Sequence, residues 1–425
     1  MQQEYFSLLL SINRNRKFSF AVLLLAAVLL VVVVDGAAAT IGDACTKDAD
    51  CGGSGLGCSA CGQHSVCTQI RPTDPKTMGR GLAFNKYSWL TTHNSFAQTG
   101  AKSATGALLV SPTNQLDTVT AQLKNGVRGL MLDMYDFQND VWLCHSFGGN
   151  CYNFTAFQPA VNVLKEVKTF LDANPSEVVT IFIEDYVKAP DGVGKAFNAS
   201  GLAKYWFPVS QMPKNGGDWP LLSDMISKDQ RLLVFTSKSA KEASEGIAYE
   251  WNYVVENQYG DDGMKAGSCP NRAESPAMST KSKSLVLMNY FPTNPNVTAA
   301  CRDNSAPLAS MLTTCHGASA DRWPNFVAVD FYTKGGAPKA ADIANGHMVC
   351  GCDDIAYCKA NATFGTCDVP PAEAAPAKAP STSSTTNNAT KPTPTASGTA
   401  TSIPRSAAGC WLLIEMALSV MLLSL

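Results

Sequence analysis

The chain has 425 residues, of which 16% are charged, and a formal net charge of −2 at pH 7. This balance gives no support for a nucleic-acid partner, because proteins that bind nucleic acids carry clustered basic residues. About 300 residues remain for one globular unit once the two ends are set aside, which is ample for a single barrel.

The amino end has the pattern of a processing signal. Arg14 and Arg16 precede an apolar run over residues 17–34, and small residues follow at 36–39. A basic start, an apolar core and a small-residue exit predict a secretory signal peptide over residues 1–39. Because the apolar run is long for a signal peptide, an uncleaved membrane anchor is the alternative.

Five of the cysteines fall within residues 45–67, inside a Gly- and Ser-rich segment over 40–74. This segment predicts a small cap held by disulfides, and a zinc site through Cys58 and Cys61 is the alternative. Of the 15 cysteines, Cys410 lies in a tail predicted to be removed, which leaves an even 14. An even count in a secreted chain predicts disulfides. Five sequons are compatible with N-glycosylation, at Asn153, Asn198, Asn296, Asn361 and Asn388.

Between residues 75 and 368, short apolar runs alternate with helix-like stretches. Strands are predicted at 88–92, 127–133, 141–144, 178–184, 231–236, 284–289 and 326–330. Helices are predicted at 118–125, 159–173 and 220–227, the last two opening with proline, which suits the first helical position. The alternation predicts an α/β fold, a closed (β/α) TIM-type barrel rather than an open sheet. No Gly-x-Gly-x-x-Gly or Walker-type loop follows a strand, which removes the main reason to prefer the open sheet.

Polar residues end several of these strands. The residues concerned are His93, Asn94, Asp133, His145, Glu184, Asp185 and Asp330. In a barrel the carboxyl ends of the strands converge on one face, where active sites lie. A single polar residue at a strand end more often has a structural role than a catalytic one. Here, however, two of the five histidines of the chain follow nearby predicted strands, which favours a shared site. The pattern therefore predicts one crevice that contains two imidazoles, an amide and at least three carboxylates.

Cys144 and Cys151 flank the segment that begins with His145. Their close spacing favours a local disulfide that stiffens this loop. The main rival is pairing of either cysteine with a more distant one.

The carboxyl end combines a polar stretch with an apolar tail. Residues 369–400 are rich in Pro, Ala, Ser and Thr and predict a solvated stalk. Small residues at 397–399 and a short apolar run at 410–425 predict a glycosylphosphatidylinositol (GPI) attachment signal over 401–425, which is removed. The protein is then expected to pass through the secretory pathway to the outer leaflet of the plasma membrane.

Four segments resemble a known family. Residues 85–96 (NKYSWLTTHNSF), 126–135 (GVRGLMLDMY), 141–145 (VWLCH) and 179–184 (VTIFIE) are similar to the first strands of the X region of phosphatidylinositol-specific phospholipases C. The likeness covers roughly residues 80–350 and weakens after the fourth strand. The overall layout is similar to that of plant X-domain-containing, membrane-anchored proteins. The resemblance implies a phosphoric diester hydrolase that acts on a phospholipid or related phosphodiester at the outer membrane face.

The resemblance implies a role for each histidine. His93 would accept the proton of an attacking substrate hydroxyl and His145 would protonate the departing alkoxide, as general base and acid. Asp330 matches an acid that orients the first histidine. Lys238, at the end of the fifth strand, matches a basic residue that binds the substrate in relatives, although a lysine there is also typical of a solvated surface. Bacterial relatives have an arginine where this chain has Tyr135, which is expected to line the substrate site without supplying charge.

In eukaryotic relatives a bound calcium ion supplies the positive charge that stabilises the reacting phosphate. Asn94, Asp133 and Glu184 match three of its four ligands, and Met131 stands where the family has a glutamate. Hard oxygen ligands suit calcium, which can act as a Lewis acid at the phosphoryl oxygen. The missing carboxylate is expected to weaken the site, and Asp185 or water is the candidate to fill the gap.

Two alternative functions are considered for the chain. A glycerophosphodiesterase would have His-Arg near the first strand and Glu-x-Asp on the second, whereas this chain has His93-Asn94 and Met131-x-Asp133. A catalytically weak or inactive GPI-anchored protein that binds surface or cell-wall components on the same barrel is the other alternative. A monomer is expected in either case.

Overall fold

The structure is a computed structural model, and it describes residues 40–368 apart from Ser54, Gln63 and Arg80. The predicted signal peptide, stalk and GPI signal, and the sequon at Asn388, lie outside this part of the chain. Within it, no helix combines the length and apolar character needed to cross a membrane.

The strands and helices follow in a fixed order along the chain. The strands are β1 (Leu56–Cys61), β2 (His64–Gln69), β3 (Trp89–Thr92), β4 (Gly129–Phe137), β5 (Asp140–Cys144), β6 (Ala156–Pro159), β7 (Val179–Tyr186), β8 (Leu232–Thr236), β9 (Ala248–Tyr249), β10 (Val254–Glu256), β11 (Leu285–Tyr290) and β12 (Phe326–Val329). The α-helices are α1 (Val119–Lys124), α2 (Ala160–Ala173), α3 (Gly192–Ser200), α4 (Leu222–Ser227), α5 (Ala240–Ser244), α6 (Gly260–Gly263), α7 (Val297–Asp303), α8 (Ala306–Ala318) and α9 (Ala337–Asn345).

Eight strands form one parallel ladder in the order β10-β11-β12-β3-β4-β7-β8-β9. Successive side chains of a strand face opposite sides of the sheet. Leu233 and Phe235 of β8 pack into one core cluster with Phe326, while Leu232 and Val234 pack into the other with the helices. The fold is therefore the (β/α) barrel predicted from the sequence, with a seam between β9 and β10, where the structure records no ladder within the described residues.

The third predicted strand is not a strand of the barrel, and this correction matters for the site. The chain leaves the barrel along the long strand β4 and returns antiparallel along β5, which then pairs with β6. Gln138 and Asn139 make the turn, with φ of 51° and 59°. Two successive positive φ values are typical of the tight hairpin turn that reverses a strand. An apolar run such as 141–144 does not encode its own direction, so the sequence could not distinguish this hairpin from a barrel strand.

The predicted helices form, but their prolines lie outside them. Pro159 is the residue before α2, and Pro220 lies two residues before α4. The prediction of proline at the first helical position is therefore wrong at both helices. Pro159 ends strand β6 instead, a position that its fixed φ also suits.

The 14 cysteines of the described residues form seven disulfides, as predicted. The pairs are Cys45–Cys58, Cys51–Cys67, Cys61–Cys301, Cys144–Cys151, Cys269–Cys315, Cys350–Cys358 and Cys352–Cys367. Because Cys58 and Cys61 are both in disulfides, the zinc alternative is wrong. Cys61–Cys301 ties the β1–β2 cap to α7, and Asp342 of α9 accepts hydrogen bonds from Gln69 Nε2 and the Thr73 amide, each at 2.7 Å. The cap is thereby fixed to the barrel.

Candidate active site

A cavity of about 230 Å³ opens where the carboxyl ends of the barrel strands meet. Six of the eight side chains predicted to form the site line it: His93, Asn94, Asp133, Tyr135, His145 and Glu184. The barrel places His93, Asp133 and Glu184 there because the carboxyl ends of parallel strands face the same end of the sheet. Both imidazoles line the same cavity, as the sequence predicts.

His93 follows β3 and is held in one orientation. Its Nδ1 lies 2.9 Å from Oδ1 of Asp330, a carboxylate that is only 2% exposed. The Nδ1–H therefore donates to Asp330, which leaves Nε2 as the nitrogen available to the cavity. Phe291 stacks on the imidazole with the ring centroids 3.7 Å apart and the planes 7° from parallel. Asp330 itself stands behind His93 and does not line the cavity.

Two further residues support the pair formed by His93 and Asp330, and they could not be predicted from the sequence. Asn114 Nδ2 donates to Oδ1 of Asp330 at 2.9 Å, and Gln115 Nε2 donates to the backbone oxygen of His93 at 2.8 Å. Both side chains are fully buried. They lie in an irregular segment rather than at a predicted strand end, so no pattern marked them.

His145 reaches the same cavity by way of the β4–β5 hairpin. Its Nδ1 lies 2.9 Å from the carbonyl oxygen of Pro112, so the Nδ1–H donates outward and Nε2 is left for the cavity. The predicted Cys144–Cys151 disulfide closes the loop that follows. Burial, and next the nearby charge of His93, lower the pKa of His145. The free protein therefore favours neutral His145 at neutral pH.

The two central carboxylates lie side by side. Asp133 of β4 pairs in register with Glu184 of β7, and Tyr186 donates a hydrogen bond to Glu184. Burial and then the charge of Glu184 raise the pKa of Asp133 well above its ordinary value. The amide of Asn94 faces Asp133, and with its nitrogen turned toward that carboxylate Nδ2 can donate to Oδ1 at 2.9 Å and to Oδ2 at 3.2 Å. Asp133 is buried whereas Glu184 is exposed, and a buried acid beside a second carboxylate is costly without a proton or cation between them.

The donors present fit a hard cation. Asp133, Glu184 and the carbonyl oxygen of Asn94, once its amide is turned, offer oxygen ligands of the kind that calcium prefers. Met131 also lines the cavity, but its thioether is a soft and weak ligand. The expectation that Asp185 could fill the gap is wrong, because that carboxylate is 1% exposed and is bound by Lys241 and Thr236.

Tyr135 and Lys238 occupy different places. Tyr135 stacks on Tyr186 with the ring centroids 4.3 Å apart, and burial raises its pKa, so its hydroxyl stays protonated. Lys238 is outside the cavity lining, and its ammonium lies 5.9 Å from the centroid of the Tyr186 ring. Contact between Lys238 and a substrate remains a prediction.

Two further acidic residues, Glu250 and Glu256, line the cavity and were not predicted from the sequence. Glu256 accepts hydrogen bonds from Arg272 Nη1 at 3.0 Å and from Asn289 Nδ2 at 2.8 Å. Burial, and then the charge of Glu256, raise the pKa of Glu250 well above its ordinary value. The guanidinium of Arg272 also lies 5.1 Å from the Trp251 ring centroid. Glu250 follows β9 and Glu256 ends β10, two very short strands that no hydrophobic pattern revealed.

Comparisons with known proteins found a matching family model, similar sequences and similar solved structures. The family model described as PI-PLC X matches residues 84–345. A PI-PLC X domain-containing protein of Arabidopsis thaliana is 53% identical over 332 residues, which span 76% of this chain and 78% of the relative. PI-PLC X domain-containing protein 1 of Arthroderma benhamiae is 30% identical over 254 residues, which span 55% of this chain and 79% of the relative. Among solved structures, the phosphatidylinositol-specific phospholipase C of Listeria monocytogenes is 14% identical, with a TM-score of 0.43 over 64% of this chain and 96% of that one.

Proposed function

Because the chain belongs to the family of proteins with a PI-PLC X domain, we propose that it is a phosphoric diester hydrolase. It would cleave the phosphodiester of a phospholipid or glycerophospholipid by acid–base catalysis at the outer face of the plasma membrane, where a GPI anchor would hold it. One observation carries this proposal: His93 and His145 line a single cavity, and a bond at Nδ1 leaves Nε2 of each available to it.

The proposed reaction uses the two imidazoles in turn. His93 Nε2 takes the proton of the substrate hydroxyl as that oxygen bonds to phosphorus, and Asp330 stabilises the resulting imidazolium through Nδ1–H. His145 Nε2 gives its proton to the leaving alkoxide as the bond from phosphorus to that oxygen breaks. Each proton transfer of this kind contributes about 10²–10⁴-fold to the rate.

A divalent cation, if bound, would be held by Asn94, Asp133 and Glu184. Calcium in that position would supply Lewis-acid stabilisation of charge on the phosphoryl oxygens. Three ligands in place of four are expected to give the weak affinity of extracellular calcium modules, with a Kd of about 10⁻⁴–10⁻³ M. The neutral hydroxyl of Tyr135 would contact the same phosphate as a hydrogen-bond donor.

Calcium binding can be tested through stability, without a substrate. At about 10 mM calcium, a Kd of about 10⁻⁴–10⁻³ M raises the free energy of unfolding by about 1.4–2.7 kcal/mol. In Asp133→Asn this increment should vanish. Without calcium, Asp133→Asn should be the more stable protein at pH 7, because the raised pKa of Asp133 means that its charged form costs stability there.

Chemical denaturation with and without calcium measures both effects. The control variant is Asp353→Asn, which removes an exposed acid and should keep the whole calcium increment. An equal increment in Asp133→Asn and in the unaltered protein would contradict the proposed ligand set.

The pH dependence follows from the lowered pKa of His145. The proposed acid, His145, must carry a proton to act. Burial lowers its pKa below the ordinary value of 6.5. We therefore expect kcat/KM to fall as pH rises through a point below 6.5, giving an optimum on the acid side of neutrality. A pH–rate profile measures this, and His145→Ala should lack the descending limb. An activity that rises steadily up to pH 8 would be inconsistent with the assigned role.

A second candidate is a barrel that binds surface or cell-wall components with little or no catalysis. It is favoured by Met131 and Tyr135, which line the cavity where relatives have an acidic ligand and a cation. The discriminating assay compares purified protein with His93→Ala on phosphatidylinositol, with and without calcium. Equal turnover by the two proteins would favour this candidate.

A further inference from the structure

A second cavity, of about 200 Å³, opens at the end of the barrel opposite the candidate active site. It is lined by Ser88 and Trp89 at the amino end of β3, by Arg128 just before β4, and by residues 71–75, which join the cap to the barrel. The loops that carry catalysis in a barrel lie at the carboxyl ends of the strands, so this cavity is separate from the proposed catalytic site. None of the five histidines, all of which lie in the described residues, lines it.

Two buried donors of β3 and its approach line this cavity without a protein partner. The Ser88 hydroxyl and the Trp89 indole nitrogen have no hydrogen-bond partner among the described residues, although the two residues are only 1% and 5% exposed. The Ser88 backbone is fixed, because its amide donates to Asn345 Oδ1 and its carbonyl oxygen accepts from Asn345 Nδ2, each at 2.8 Å. Buried polar groups without a protein partner are rare and indicate a place where water or a ligand binds.

Two acids line the same cavity, and both are already neutralised. Arg128 Nε lies 2.7 Å from Glu177 Oε2. Lys76 Nζ lies 2.6 Å from Glu177 Oε1 and 3.6 Å from Asp74 Oδ2. These two acids and two cations form one chain of ion pairs with no net charge. Any further cation therefore gives the cavity a positive charge.

Arg71 and Lys124 supply that positive charge. Both line the cavity, both are exposed, and neither is in an ion pair within the part of the chain that the structure describes. Arg71 lies close against the barrel because Gly126 has no side chain there. A β-carbon on Gly126 would lie 3.4 Å from Arg71 Cγ and 3.0 Å from Pro72 Cδ. Two unpaired cations and two buried neutral donors around one cavity suit an anionic ligand.

We propose that this cavity, here called the distal site, binds a tetrahedral oxyanion between the cap connection and the barrel. The ligand is a phosphate or sulfate group, either free or as the ester of a larger molecule. The donors come from three elements: the 71–75 segment, the end of α1 and the start of β3. A tetrahedral group has oxygens on every side and accepts from donors that converge in this way, whereas a carboxylate has two oxygens in one plane. Hydrolysis at the other end of the barrel is not needed for this binding.

Phosphate titration of the full chain, labelled with ¹⁵N at tryptophan, tests the distal site. The Trp89 indole N–H resonance is expected to shift with saturation, because this donor gains an acceptor. The Trp219 indole N–H already donates to Ser284 Oγ at 2.7 Å and should stay unchanged. A Trp89 resonance that moves no more than that of Trp219 would overturn the proposal. An equal shift with acetate at the same ionic strength would overturn the choice of a tetrahedral oxyanion.

A phosphate monoester distinguishes the two sources of such a group. If glycerol 3-phosphate saturates the Trp89 shift at a lower concentration than inorganic phosphate does, the ligand is an ester. The reverse order supports the free ion.

Variants of the two cations give the second arm of the test. The double variant Arg71→Gln and Lys124→Gln should weaken phosphate binding at Trp89 about tenfold or more, the loss expected for hydrogen bonds to charged groups. Because both residues are exposed, the variant should keep its fold. The double variant Lys265→Gln and Lys281→Gln removes two exposed lysines outside the cavity lining and is the matched control, which should bind normally. Equal affinity in the two double variants would overturn the proposal.

Two further variants separate ligand binding from structural and catalytic roles. Ser88→Ala removes a buried hydroxyl that has no protein partner, so without phosphate its free energy of unfolding should be no lower than that of the unaltered protein. Its phosphate affinity at Trp89 should fall. A less stable Ser88→Ala protein with unchanged affinity would overturn the proposal. His93→Ala should bind phosphate at the distal site as the unaltered protein does, so a failure of hydrolysis leaves this result intact.

Discussion

Replacing His93 by alanine is expected to lower kcat/KM on phosphatidylinositol by about 10²–10⁴-fold. The reason is that His93 Nε2 is the proposed acceptor of the proton from the attacking hydroxyl, and its Nδ1 is fixed by Asp330 at 2.9 Å. Initial-rate kinetics on the purified variant measures the loss. His64→Ala, which removes an exposed histidine of the cap, is the matched control and should keep full activity.

A double variant checks that Asp330 acts through His93. Asp330→Asn alone is expected to lower kcat/KM, because the carboxylate no longer stabilises the imidazolium. Residues that work as one unit are not additive, so adding Asp330→Asn to His93→Ala should cause little further loss. Fully multiplicative losses would mean that Asp330 has a separate role, and an active His93→Ala protein would remove the hydrolase proposal altogether.

Replacing His145 by alanine is expected to cost about 10²–10⁴-fold on a substrate with an alkoxide leaving group. The loss arises because an alkoxide is a poor leaving group unless it is protonated as it departs. A phosphodiester with a nitrophenolate leaving group does not need that proton, so His145→Ala should cleave it nearly as fast as the unaltered protein does.

The comparison of the two leaving groups distinguishes an acid from a structural residue. His93→Ala serves as the reference variant, because the proposed base is needed for both substrates and its loss should be similar on each. An equal loss by His145→Ala on both substrates would contradict the role of a general acid. It would indicate instead that His145 supports the loop closed by Cys144–Cys151.

Much of the barrel could be predicted because its strands are short apolar runs that end in polar residues. The tips of β3, β4 and β7 carry His93, Asp133 and Glu184, and the parallel ladder brings them together as expected. The even cysteine count predicted disulfides, although it could not predict that Cys61 reaches Cys301 across the cap and the barrel.

The rest depends on contacts that a local pattern does not contain. The direction of β5 is set by a turn with two positive φ values, and that turn delivers His145 to the rim from outside the barrel. Asn114 and Asp185 also have contacts that no local sequence pattern predicts. Asn114 supports Asp330 from an irregular segment, whereas Asp185 ends a strand but points into a buried ion pair with Lys241.

The central claim is that both imidazoles reach one bound phosphate. Its most direct test is to follow the ring nitrogen resonances of the histidines by NMR while inorganic phosphate is added. We expect Nε2 of His93 and Nε2 of His145 to shift together with one common Kd, while His64, His316 and His347 stay unchanged. Shifts at only one of the two rings, or at two different phosphate concentrations, would contradict the claim.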